Sequence, residues 1–397
     1  MSFLLYIKKV TLRAKCYSRP VIKLSIGKQR VKTNVLIIGG GLSGLHTAFE
    51  LHKRNIDFML FEARPQLGGR ILSRHWQRSG YDELLTAYDM GPAWFWPGQT
   101  HIEGLVNELN LTDQVFYQQA TGDAVYENAQ GQIQRGIQGV SMAGSYRLQG
   151  GNAQLIAGLH QRLPTHSVKL NSIAKQIQQH EAKLSTTVTM DGETVVVDSE
   201  SVVIAAPPRV AVQQIGFEPA LPASRLETLN NIKTWMAGHA KLLAFYETPF
   251  WLAQGFSGDV ISHTGPMHEI HDASPKQGGP YALFGFMGVA APNRGDEEHL
   301  KSAAIEQLVR LFGEQAATPL GVYYKDWAQD TLTATVLDQE MLTSHPTNDI
   351  EHVCEAGWDN RLIWSGTETS MGRFNGYLEG ALEASAKTVA CLDKAAS

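Results

Sequence analysis

Three groups of residues in this 397-residue chain have the types and spacing to do chemistry. The first is Gly39-Gly40-Gly41-Leu42-Ser43-Gly44, with Glu62 placed 18 residues after Gly44. Gly39 suits a tight turn, Gly41 lets backbone approach a pyrophosphate, and Gly44 lets a helix pack close to a strand. The free N–H groups and positive dipole end of that helix suit phosphates. Glu62 can accept hydrogen bonds from ribose hydroxyls, and an acid there disfavours a 2′-phosphate. The second group follows at once, Glu62-Ala63-Arg64 and then Gly68-Gly69-Arg70. Read alone, this is a glycine turn with a surface arginine. The third is Lys241, inside the apolar stretch Ala240–Phe245. A buried ammonium is costly unless it is hydrogen-bonded or charge-relieved, so Lys241 either works in a site or points to solvent from an edge strand.

The elements that must position these groups are visible in the hydrophobic pattern. Val35-Leu36-Ile37-Ile38 is a continuous apolar run, as expected of a strand buried on both faces. Leu45, Ala48, Phe49 and His52 recur at helical spacing, Asn55 ends that helix, and Phe58–Phe61 reads as the next strand. Strand, G-x-G-x-x-G, helix, strand and acid form the complete dinucleotide-binding context. Asp191-Gly192 marks a hairpin between Thr187–Thr189 and Val195–Val197. Leu362-Ile363-Trp364 reads as a short buried strand, followed by Gly366-Thr367-Glu368-Thr369 and by a helix with Leu378, Ala381, Leu382, Val389 and Leu392 on one face. Residues 296–312 pattern as an amphipathic packing helix. His263, His268 and His271 lie beside Gly265-Pro266 and read as a surface segment, and no metal site is expected.

Composition narrows the class. Apolar residues make up 43% and charged residues 18%, which excludes a disordered or fibrous chain. Cys16, Cys354 and Cys391 are too few for a disulfide framework and fit a reducing compartment. Residues 1–32 hold nine Lys/Arg and no acid, leaving 25 basic residues against 39 acidic, a balance of −14. Such a body argues against nucleic acid as a partner. Residues 1–33 are a basic extension, read as disordered or as an organellar presequence. The absence of an 18-residue apolar run predicts no membrane span, and a cytoplasmic location is expected.

With these residues in view, the chain resembles the flavin-containing amine oxidases, the monoamine and polyamine oxidase superfamily, in a short bacterial-type form. Glu62-Ala63-Arg64 with Gly68-Gly69-Arg70 is similar to the second half of that family's flavin-binding signature, and Arg70 would sit by the FAD phosphates. Asp89-Met90-Gly91-Pro92-Ala93-Trp94 resembles the segment passing the flavin ring, with Gly91 and Ala93 against it. Trp94 and Trp96 would then face a substrate cavity. Gly150-Gly151 resembles the helix start that returns the chain to the FAD domain, and the adenine contact would fall near Ala174. The strand around Lys241, followed by Pro249-Phe250-Trp251, is similar to the one carrying the active-site lysine, which holds a water at flavin N5. Glu368 would bond the ribityl or phosphate region, the helix start at Leu378 would face flavin N1 and O2, and Tyr377 would wall the substrate site.

Three departures accompany the resemblance. The stretch after Trp327, Ala328–Thr335, has no cysteine, which implies non-covalent FAD. It also lacks the second tyrosine of the aromatic cage, so Tyr377 would stand alone or pair with Trp94. About two dozen residues separate Tyr126 from Gly150, which implies a reduced substrate domain. The fold class expected is α/β: a Rossmann-like (GR2-type) FAD domain over 34–105, 147–228 and 329–395, with a discontinuous α+β substrate domain over 106–146 and 229–328. The resemblance implies oxidation of an amine to an imine, with hydride transfer to N5 and reoxidation by O2 to H2O2. The alternatives are a flavin dehydrogenase or desaturase of a non-amine, and an FAD-binding protein without catalysis. A homodimer is possible on this reading.

Overall fold

The computed structural model describes residues 29–76, 87–139, 142–348, 350, 353–370 and 372–396. Two large sheets organise them. The first runs Gly216–Glu218, Ser172–Gln179, Leu184–Met190, Glu193–Ile204, Gln29–Ile38, Phe58–Phe61, Val168–Lys169, and Leu362–Trp364 pairs with the end of Glu193–Ile204. Val35–Ile38 lies parallel to both Phe58–Phe61 and Ser201–Ile204. Its residues are buried on both faces, as a central parallel strand requires. The strand begins at Gln29, not at Val35, so the basic extension drawn to residue 33 ran too far. Gln29–Thr33 pairs in register with Val195–Ser199, and backbone pairing carries these partly polar residues without an apolar run. Residues 1–28 lie outside the described residues.

The helix Leu42–Lys53 packs Leu45, Ala48 and Leu51 into a core shared with helices Ala153–Gln161 and Leu378–Ala396. His52 is exposed; Leu51 holds the inward position assigned to it. Asn55 adopts φ 56° just past the helix end, a left-handed conformation that asparagine tolerates. A Cβ on Gly44 would lie 2.0 Å from the Gly39 carbonyl oxygen. Backbone cannot yield there as a flexible side chain would. Gly44→Ala is therefore expected to destabilise the protein by about 3 kcal/mol or more, read as a fall in Tm.

The second sheet runs Gly321–Asp326, Ala240–Tyr246, Tyr281–Met287, Met267–Asp272, Phe256–Ser262, Asp123–Glu127, Ile133–Ile137. Helix Glu297–Phe312 covers it with Leu300, Ala304, Leu308 and Leu311, and Asp296 caps its N-terminus by accepting from the His299 amide. Ala240–Tyr246 is flanked on both sides, so Lys241 is on an interior strand rather than an edge. Met267–Asp272 is also a strand, which corrects the surface reading of His268 and His271, while His263 lies before it and is exposed as expected. Gly265-Pro266 is only the turn feeding it, and His271 is buried.

Candidate active site

The two sheets frame one cavity of about 880 Å³. Gly39, Gly41, Ser43, Glu62, Arg64, Gly69, Arg70 and Ala174 line one stretch of it, together with Glu368 and Leu378. Gly91, Ala93, Trp94, Trp96, Lys241 and Tyr377 line the same cavity. Gly44 stands back from it, against Gly39, and neither Gly40 nor the pair Gly150-Gly151 is on its lining. Phe95, between the two tryptophans, points into the core instead.

At the glycine loop, a Cβ on Gly39 would meet the Ala205 carbonyl at 2.5 Å, and Gly39 adopts φ +113°. A Cβ on Gly41 would meet nothing within 4 Å and would project into open space. Helix Leu42–Lys53 has no side-chain cap, which leaves first-turn N–H groups for a ligand. Glu62 is buried at 3% exposure and already employed. Its Oε2 accepts from the Gly40 amide at 2.7 Å and its Oε1 from the Arg64 amide at 2.8 Å. The carboxylate thus holds the glycine loop in shape as well as facing the cavity. Arg64 reaches Asp330 at 2.6 Å, and Asp330 also receives Lys325 at 2.9 Å. Those cations hold the Asp330 carboxyl below its ordinary pKa, against the opposing effect of burial.

The C-terminal turn closes the same region. Arg70 pairs with Glu368 Oε1 at 2.6 Å, while Oε2 is buried and accepts no hydrogen bond among the described residues. A buried carboxylate oxygen without a donor, beside an arginine and a glycine loop, suits the hydroxyls and phosphates of a dinucleotide. Thr367 Oγ1 donates to the Tyr377 carbonyl at 2.8 Å and Asn375 Nδ2 to the Glu368 carbonyl at 3.0 Å, which locks Tyr377 to that turn.

Lys241 is 3% exposed. Its Nζ donates to the Gly91 carbonyl at 3.2 Å and lies 3.9 Å from the Phe284 ring centroid. Burial pulls its pKa down to about 7; the buried Asp89 opposes this and Arg147 adds to it. Asp89 is itself raised by burial, and accepts from Ser73 Oγ at 2.6 Å and from the Asn152 amide at 3.0 Å. The ammonium is therefore close to neutralisation at physiological pH, an arrangement typical of working sites.

Tyr377 does not stand alone, nor does it pair with Trp94. His345 stacks on it face to face, centroids 4.2 Å apart at 11°, and Trp235 stacks on His345 at 3.9 Å. Trp96 meets Tyr377 edge-on at 5.7 Å. Trp94 turns toward His271, Phe284 and Phe286 and donates to Gln118 Oε1 at 2.9 Å. His345 sits in an irregular stretch without periodicity, so no local signal marks it. Its imidazole pKa is lowered by burial. His268 and Glu269 also line the cavity unforeseen. Their place on a strand was masked by the Gly265-Pro266 turn.

A family model described as flavin containing amine oxidoreductase matches residues 137–392, and one described as an NAD(P)-binding Rossmann-like domain matches 37–109. A Dictyostelium discoideum protein named "Probable flavin-containing monoamine oxidase A" is 25% identical over 88% of this chain and 95% of its own length. Flavin-containing amine oxidase B of Homo sapiens is 24% identical over 47% of this chain and 36% of its own. Among solved structures, cyclohexylamine oxidase from Brevibacterium oxydans IH-35A superposes with TM-score 0.76 at 20% identity, covering 92% of this chain and 100% of that one. A putrescine oxidase structure superposes with TM-score 0.74 at 18% identity, covering 93% and 100%. These likenesses establish the fold.

Proposed function

Because this chain belongs to the family of flavin-containing amine oxidoreductases, we propose that it binds FAD without a covalent link and oxidises an amine to an imine. The observation that carries this is the convergence of both nucleotide motifs, from opposite ends of the chain, with Lys241 and Tyr377 on one cavity. Bound FAD would supply the hydride acceptor and the route of the electrons to dioxygen, with release of hydrogen peroxide.

The chain's own residues account for the rest. The Gly39–Gly44 loop, the first turn of helix Leu42–Lys53 and Arg70 receive the phosphates, and Glu62 and the free Glu368 oxygen take hydroxyls. Ala174 borders the adenine end. Gly91 and Ala93 would border the ring, and the helix start at Leu378 would offer its positive end to the charge that builds on reduction. Lys241, held by the Gly91 carbonyl, would keep an ammonium or amine donor available to the bound cofactor. Tyr377, backed by His345, and Trp94 wall the substrate side. The amine reacts in its neutral form, and a Lys241 pKa near 7 limits electrostatic repulsion of the ammonium that delivers it. The division into an FAD domain over 34–105, 147–228 and 329–395 and a substrate domain over 106–146 and 229–328 belongs to the same proposal, supported by the separate sheets. Among the described residues no helix is long and apolar enough to cross a membrane.

The purified protein is expected to be yellow and to bleach anaerobically with a reactive amine, then form peroxide on admitting air. No bleaching across a broad amine panel would remove the reading. Acid precipitation is expected to leave the colour in the supernatant, because Ala328–Thr335 offers no thiol. Colour in the pellet would contradict the non-covalent link.

A further inference from the structure

Cys354 and Cys391 are far apart in sequence and adjacent in space. Each is a partly buried free thiol, and both pack against the core that includes Ile363, Leu382 and Leu392. The Cys354 backbone is fixed from both sides. It bridges Ile363, while the Trp364 amide donates to the Val353 carbonyl at 2.8 Å and the Glu355 amide to the Leu362 carbonyl at 2.9 Å. Cys391 lies inside helix Leu378–Ala396, so its backbone is equally set. The two thiols share a hydrogen bond, Cys354 donating and Cys391 accepting. Sulfurs already in contact can meet by side-chain rotation, without the backbone movement that separated cysteines require.

The pair is asymmetric. Donating its proton raises the Cys354 thiol well above its ordinary pKa, and burial and the nearby Glu355 act the same way. Accepting that proton lowers Cys391 to about 7 against the effect of burial, and Lys394 adds to the fall. The thiolate is the reactive form of cysteine, so Cys391 is the attacking sulfur and Cys354 the resolving one.

We infer that Cys354 and Cys391 form a modification site for hydrogen peroxide, which closes them into a disulfide. The Cys391 thiolate attacks one peroxide oxygen and the O–O bond breaks. The sulfur becomes a sulfenic acid, and the departing hydroxide takes up the proton the thiol had released. The Cys354 sulfur then attacks the Cys391 sulfur. The S–S bond forms, the S–O bond breaks, and hydroxide leaves with the Cys354 proton as a second water. Two thiols lose two electrons, and one peroxide is reduced to two waters. That the chain makes this peroxide itself rests on the amine-oxidase reading; the pair needs only the oxidant. The segment between the cysteines carries Glu368, Tyr377 and Leu378, so the disulfide closes a loop that holds the C-terminal wall of the cavity. Such a cross-link stabilises chiefly by restricting the unfolded chain.

The test uses the full-length, flavin-loaded protein, reduced and then exposed to a small molar excess of hydrogen peroxide. Remaining thiols are alkylated under denaturing conditions. Peptide mass spectrometry is expected to find Cys354 joined to Cys391, and dithiothreitol to separate them. Cys354→Ser should leave Cys391 as a sulfenic acid that dimedone captures, and Cys391→Ser should leave Cys354 reduced at the same dose. The wild-type peptide map does not depend on how either variant folds. The cross-linked protein should unfold about 5 °C above the reduced one, a gap absent from both variants. Alkylation of both cysteines after peroxide treatment, or a bond to Cys16 in place of theirs, overturns the pair. Equal unfolding temperatures overturn the stabilising loop. If added peroxide closes the bond but no amine yields peroxide, the oxidase reading fails and the pair stands. If turnover releases peroxide and neither source closes the bond, the pair fails and the reading stands.

Discussion

Lys241→Met is expected to slow flavin reduction by amine, or reoxidation by oxygen, about 10²-fold or more, the scale of losing one positioned polar group. The variant should still fold and hold FAD, because the proposed nucleotide contacts lie at Gly39–Gly44, Glu62, Arg70 and Glu368. Stopped-flow measurement of each half-reaction identifies the affected step; wild-type rates in both would reduce Lys241 to a strand residue. The same substitution should raise stability. The folded pKa of Lys241 is about 7 against 10.5 for the free side chain. Between those values the unfolded chain binds more protons, so wild-type stability rises with pH across that window. Methionine lacks this slope. At pH 7 the variant is expected to be more stable by about 4 kcal/mol, a gap that shrinks toward pH 10. Denaturant midpoints at both pH values measure it, and a variant less stable at pH 7 would contradict the burial cost. Slower chemistry in a firmer protein is the expected signature of a lysine retained for function.

Glu62→Ala is expected to weaken FAD binding about 10²-fold. Two effects combine. The ribose hydroxyls lose a charged acceptor, worth about 1.5–3 kcal/mol. The Gly40 and Arg64 amides, which the carboxylate holds at 2.7 and 2.8 Å, are released, and the loop must be ordered by the cofactor itself. Glu62→Gln keeps one acceptor for those amides and should recover part of the affinity. Equilibrium dialysis against FAD distinguishes the three proteins; equal affinity in all would move Glu62 out of the site.

Much of the proposed nucleotide cradle was legible as one stretch of cavity wall because its parts are local. A glycine loop must follow its strand and precede its helix, so spacing along the chain stands for spacing in space. Lys241 was legible through its apolar neighbours and the Pro249-Phe250-Trp251 that follows, and the flanking strands on both sides exclude the edge position the sequence left open. His345 was not, since its stacking on Tyr377 joins two stretches of irregular backbone. Glu269 was hidden by a turn signal two residues before its strand and by the register shift that turns it inward. Strand Gln29–Ile38 starts earlier than its apolar run because pairing with Val195–Ser199 needs only backbone. Each miss was set by a partner distant in sequence.

The strand Glu193–Ile204 has a divided edge. Its first residues take Leu184–Met190 antiparallel, and Val202–Ile204 takes Leu362–Trp364 in parallel. On the ribosome these partners arrive far apart in time. The hairpin can close early, but Val202–Ile204 keeps an open apolar edge until some 160 further residues have emerged. Open edges of this kind recruit other strands, so nascent chains are exposed to aggregation over that interval. Glu368 and the helix from Leu378 come later still. A cavity that needs Glu368 and Leu378 is thus complete only after they have emerged, and a chain stopped before residue 362 has an unclosed sheet and lacks that part of the lining.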